Sequence, residues 1–172
     1  LGGGLGLQYA VLPDLALDAW GGYSSASQGD NSSAGLADSR LGVRYRLVDE
    51  FRSDGGLPTI SVRVGAVLPG TYDANELYSP GDGVYGVEGS LLVGKHWAGL
   101  TLGAYGEVGY RYRTPYADGD TDVDVPADLF ASVGVYKSLF AGVSLSLGYR
   151  LQQGLSGPDL PPQQAFPEVK EV

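Results

Sequence analysis

Hydrophobic and polar residues alternate along most of this chain. In 100–113, LTLGAYGEVGYRYR, one register reads Leu100, Leu102, Ala104, Gly106, Val108, Tyr110 and Tyr112. The other reads Thr101, Gly103, Tyr105, Glu107, Gly109, Arg111 and Arg113. A period of two sustained over such a stretch predicts a long β-strand. The same alternation runs through 40–48 (RLGVRYRLV), 59–68 (TISVRVGAVL) and 143–152 (VSLSLGYRLQ), and less strictly through 15–23, 86–97 and 128–136. The Gly-rich start, residues 1–11, completes a set of about eight strands, and no segment carries helical periodicity.

The connections alternate too. Short ones fall near 12–14, 53–56, 97–99 and 139–142, and long polar ones near 24–38, 71–83 and 114–126. That order predicts an antiparallel up-and-down meander with tight turns at one end and long loops at the other.

The two registers then decide what the sheet faces. In a soluble sandwich or ligand-binding barrel the apolar register is the core and the charged one meets water. Here the charged register is rich in Gly, Ser, Tyr and Arg. It holds Arg40, Arg44, Arg46, Arg63, Arg111, Arg113 and Arg150, seven of the eight arginines, together with Asp18, Glu88, Glu107 and Asp128. Guanidinium and carboxylate groups interleaved with glycine suit a confined polar interior, where the planar fork satisfies several acceptors at once. The opposite register is Leu, Val and Ala in mid-strand. Tyr85, Tyr110, Tyr112 and Tyr149 lie towards the long loops, with Trp97, Phe140 and Tyr9 towards the tight turns. An apolar band bordered by aromatic girdles is the outer face of a transmembrane barrel. Because lipid offers backbone groups no partner, such a sheet has to close on itself. The fold expected is all-β: an antiparallel up-and-down transmembrane β-barrel with its charges in the lumen.

Composition agrees. Only 18% of the 172 residues are charged, and Gly accounts for 28, while Cys and Met are both absent. Without Cys there is no disulfide framework or thiolate metal site. A net charge of −9 argues against nucleic acid as a partner. No run of 18 apolar residues exists to form a membrane helix, which leaves strands as the means of crossing.

The phrases GVRYR at 42–46, GYRYR at 109–113, VRVGAVLPGTYD at 62–73 and LGYRLQQGLSGPDL at 147–160 carry a resemblance. With the alternating turns and acidic loops, the chain resembles Gram-negative outer-membrane barrels, most of all the transporters associated with the meta-pathway of phenol degradation. The likeness spans roughly 1–160. It implies a cell outer-membrane location and a transport role, and it carries no site motif to transfer.

Residues 1–157 are read as the barrel domain and 158–172, with four of the ten prolines, as a loop or linker tail. An eight-stranded meander with a tight turn after its first strand puts both ends on the long-loop side. Bacterial barrels ordinarily begin and end on the other side, so a native barrel of ten to twelve strands is expected.

Three motifs invite chemistry. Asp118, Asp120, Asp122 and Asp124 stand at alternate positions in DGDTDVD and are weak Ca²⁺ candidates; Val123 and Leu129 occupy places where an EF-hand needs Gly and a bidentate Glu, so a solvated acidic loop is expected. The Gly-rich LGGGLG precedes no helix and is no phosphate cradle. His96, the single histidine, sits by a tight turn with no nucleophile motif near it, so no enzyme activity and no cofactor are expected. The luminal charges are the sharper feature. They either set ion selectivity in an open lumen or bridge across a narrow one, depending on strand number. The function expected is passive, porin-like passage of small solutes, with outer-membrane lipid and lipopolysaccharide outside. A non-conducting structural or adhesive barrel acting through its acidic loops, and a soluble ligand-binding barrel, are the alternatives. Self-association or a membrane-complex partner is left open.

Overall fold

Each alternating run forms a strand in the computed structural model, which describes residues 2–28, 31–53, 56–71, 83–118, 121–140 and 143–155. The main strands are β1 (Gly2–Leu12), β2 (Leu15–Gln28), β4 (Ser39–Val48), β5 (Thr59–Leu68), β6 (Gly86–Trp97), β7 (Leu102–Arg113), β10 (Asp128–Phe140) and β11 (Val143–Gly154). They pair antiparallel in the order β1-β2-β4-β5-β6-β7-β10-β11, so every neighbour in space is the next main strand in sequence.

The long connections contain structure of their own. Strand β2 outruns β4, and β3 (Asn31–Leu36) folds back along the excess, from Tyr23↔Leu36 to Gln28↔Asn31. A second hairpin, β8 (Tyr116–Asp118) with β9 (Thr121–Val123), stands between β7 and β10. Strand β7 starts later than the alternation suggests. Ala98–Leu100 wind one 3-10 turn, and Thr101 takes a left-handed φ of 51° to reverse the chain. The β4–β5 connection is also longer than the SDGG turn expected, because Asp49 gathers the chain first. Its carboxylate accepts from the Phe51 N–H, and its carbonyl accepts from Arg52 and Ser53.

The faces are inverted relative to a water-soluble sheet. Along β5, Ser61, Arg63, Gly65 and Val67 are buried, while Val62, Val64, Ala66 and Leu68 are exposed. Leu5, Val64, Val133 and Leu147 are 68, 61, 61 and 71% exposed, whereas Arg111, Arg113 and Asp128 are 3, 3 and 2% exposed. Contacts that skip a strand show which way the sheet curls. Arg63 on β5 bonds Asp18 on β2 across β4. A Cβ placed on Gly148 of β11 would meet the Tyr105 hydroxyl of β7 at 2.8 Å, across β10. Such reach is available only on a concave side, so the polar register lines the inside of the curl. Strands β1 and β11 are not paired with each other among the described residues, and the sheet is an open, curled one.

Candidate functional site

Cross-strand register lays the polar positions in rows around the concave face. One row runs Gln8, Asp18, Gly42, Gly65, Glu88, Arg111, Asp128 and Gly154. The adjacent row, one step towards the tight turns, runs Ala16, Arg44, Arg63, Ser90, Gly109, Phe130 and Gln152. Arg63 leaves its own row and lies over the two glycines of the first. A Cβ on Gly42 would stand 2.7 Å from Arg63 Nε, and one on Gly65 would stand 3.0 Å from Nη1. The missing side chains are what let this guanidinium lie flat between two acids.

The result is a continuous ladder of alternating charge. Arg63 Nε donates to both Asp18 oxygens at 3.0 and 2.9 Å, and Nη2 donates to Oδ2 at 2.6 Å. Arg63 Nη1 donates to Glu88 Oε1. Arg111 Nε donates to Glu88 Oε2 at 3.1 Å, and its Nη1 stands 3.9 Å from Asp128 Oδ2. Asp128 pairs also with Arg113 and accepts from Gln152 Nε2 at 2.7 Å. Arg113 Nη1 donates to the Pro126 carbonyl at 2.7 Å. Asp18, Arg63, Glu88, Arg111, Asp128 and Arg113 therefore form a neutral set in which Glu88 and Asp128 each answer two arginines. Buried charges persist only when paired and hydrogen-bonded in this way.

The remaining candidates take different places. Glu107 accepts from Ser90 Oγ at 2.7 Å. The Arg150 guanidinium lies 4.6 Å from the Phe130 ring centroid, and that of Arg40 lies 5.5 Å from Trp20. Arg46 belongs to the tight-turn rim: it pairs with Asp14 at 3.1 Å and Asp49 at 3.1 Å, and Arg52 bonds both of these acids. Arg44 makes no hydrogen bond or ion pair among the described residues, and its Nε is enclosed without an acceptor. His96 stacks on Tyr136 at a centroid separation of 5.9 Å, its Nδ1 3.2 Å from the tyrosine hydroxyl. Asp118 and Asp122 lie in the backbone of β8 and β9, and Asp124 is exposed. Asp120 and the 158–172 tail lie outside the described residues.

Sequence reasoning passed over several members. Ser90, Phe130 and Gln152 were visible as positions of the charged register. Asp14 was signalled only by sitting in the LPD turn beside the strand that pairs with Arg44 and Arg46. On the convex face the girdle aromatics Tyr85, Tyr110, Tyr112, Tyr149, Trp97 and Tyr9 are all exposed.

A curled meander with charges enclosed and an aliphatic, aromatic-bordered face turned outward is an outer-membrane β-barrel sheet, and the chain is an outer-membrane β-barrel protein. It belongs to the family described as "Putative MetA-pathway of phenol degradation", whose model matches residues 1–166. Among solved structures it is similar to the COG4313 outer membrane channel from Pseudomonas putida F1, with a TM-score of 0.64 at 15% identity over 88% of this chain. The chain spans 59% of that channel's length. A comparison with curated protein sequences found no match.

Proposed function

We propose that this protein is a passive outer-membrane channel for small organic solutes, with the charged concave face as its lumen wall. The observation that carries the reading is the inversion of faces: ionised groups are gathered where lipid cannot reach and aliphatic side chains are turned outward. The family's association with phenol degradation and the channel named in the neighbouring structure support it. Free edges on β1 and β11 would expose backbone donors and acceptors to hydrocarbon, so the sheet that spans the membrane is a closed one. Strand number sets the width of the lumen: about eight strands leave an interior that side chains just fill or that holds one small ligand, and the bore widens as strands are added.

Charge distribution gives the lumen a sign. The six-member ladder cancels itself. Beyond it Arg40, Arg44 and Arg150 share the described part of this face with the carboxylates of Asp38 and Glu107, a balance of three cations to two acids that leans towards anions.

The test is single-channel recording of the full-length protein in a planar bilayer under a KCl gradient. Steady unitary openings with a reversal potential displaced towards that of chloride are expected. A second reading, a structural barrel held together by the ladder, is favoured by the pairing of all six ladder charges. Insertion without unitary conductance would select it.

A further inference from the structure

The only luminal arginine without a partner among the described residues points to a binding site. A cavity of about 260 Å³ opens on the concave face at the tight-turn end, between β1, β2, β4 and β5. Arg44 lines it from β4, Ser61 and Thr59 from β5 and Gln8 from β1, Ala10 and Ala16 supply an apolar wall, and the mutually paired Asp14 and Arg46 stand at its turn-side edge. The cross-strand neighbours of Arg44 explain why it is unpaired. Ala16 has nothing to offer it, and Arg63 is turned away towards Asp18 and Glu88. The nearby acids are engaged elsewhere: Asp14 and Asp49 by Arg46 and Arg52, and Glu50 by Lys95 and the His96 N–H. Leaving a guanidinium nitrogen enclosed with no acceptor is costly, and the site is roomy enough for a guest to remove that cost.

We infer that this cavity is a subsite for a small monocarboxylate. One unpaired guanidinium matches one negative charge, and its fork matches the two oxygens of a carboxylate. Ser61 and Thr59 add hydroxyls for the remaining lone pairs, and the alanine wall accepts a short hydrocarbon body. The volume lies just under the usual range for ligand sites, about 300–1,000 Å³, so the guest is small. The inference rests on the channel reading for its purpose, since a weak anion site at one mouth would concentrate solute there, but the binding itself is separable from conduction.

The experiment uses the full-length protein purified in detergent, with ¹³C-propionate as probe and propionamide as its uncharged isostere. Binding is followed by NMR titration alongside bilayer conductance. Wild type is expected to bind propionate saturably and to ignore propionamide. Arg44→Gln is expected to weaken propionate by about tenfold or more, as loss of a charge-assisted pair implies. Arg44→Lys, which keeps the charge and loses the fork, is expected to fall between them, and it decides the matter if the Gln variant fails to fold. Equal binding by wild type and both variants, or equal affinity for propionamide, would overturn the inference. Conductance without propionate binding sinks this subsite alone. Propionate binding without conductance sinks the channel reading and leaves the subsite standing.

Discussion

Val108→Arg tests the orientation of the whole sheet. Val108 is 55% exposed on the convex face, and its cross-strand neighbours Leu91 and Ala131 offer a cation nothing. It is the seventh residue of β7, so it lies roughly 20 Å along the strand from Leu102 at about 3.4 Å per residue. A strand tilt of roughly 40° reduces that to about 15 Å along the membrane normal, half the thickness of a hydrocarbon core of about 30 Å. Val108 therefore stands near the midplane, too deep for an arginine to reach water. The expected cost is the midplane value, about 2–4 kcal/mol. Tyr112→Arg, four residues nearer the surface on the same strand, should cost roughly 0–1 kcal/mol beyond the loss of the ring. Urea titration of the protein refolded into phospholipid vesicles, followed by tryptophan fluorescence, measures both. A water-facing surface would give no gradient, and a substitution there stays within about 0.5 kcal/mol. If Val108→Arg fell in that range and matched an arginine placed nearer the surface, the convex face would not be a lipid face.

The ladder predicts a large and asymmetric loss. Arg63→Met leaves half-buried Asp18 with no partner among the described residues and buried Glu88 with one arginine of two, and should cost roughly 3–5 kcal/mol, the scale for breaking a buried pair from one side. Asp18→Asn in the same chain should recover much of it, and additive losses in the double-mutant cycle would show that the pair is not coupled. At the rim, partial desolvation pushes the Asp14 carboxyl up, but hydrogen bonds and charge from Arg52 and Arg46 outweigh it and hold the group below its ordinary value. A group whose pKa is lower when folded stabilises above its unfolded value and loses that contribution as pH falls through the folded one. The stability gap between wild type and Asp14→Asn should therefore be present at neutral pH and close below the ordinary carboxylate range. A gap independent of pH would mean that the turn is held by something other than the carboxylate's charge.

The order of the strands was legible because a period of two needs no tertiary information. Runs such as 59–68 and 86–97 became strands with the same bounds. Errors came where a second physical preference competed. The alternation through Leu100 and Thr101 continues on paper, yet the chain spends Ala98–Thr101 reversing direction. The polar stretch at 24–38 reads as loop, yet Ser and Ala there pair across a hairpin once β2 extends past its neighbour. Neither outcome is visible from one strand's pattern, because each depends on how far the adjacent strand reaches.

The site was legible as a face and illegible as a network, and Arg63 shows why. Its register places it beside Arg44 and Ser90, which would suggest repulsion on one side and a weak hydrogen bond on the other. The bond to Asp18 depends on a partner two strands away and on what lies between. Gly42 and Gly65 fall in line between Asp18 and Glu88 only after the β2–β4, β4–β5 and β5–β6 registers are all set. The clue was nonetheless written in the chain. A glycine costs a strand conformational entropy and gives it no packing, so glycines repeated in the charged register needed a reason. Here the reason is space: Gly42 and Gly65 lie beneath Arg63, Gly109 beneath Phe130, and Gly103 beneath Tyr136. At these places a large inner side chain lies down over an empty neighbour. Arg44 shows the other side of this dependence: its cross-strand neighbour Ala16 holds no acid and Arg63 is engaged elsewhere, so that its guanidinium has no partner among the described residues.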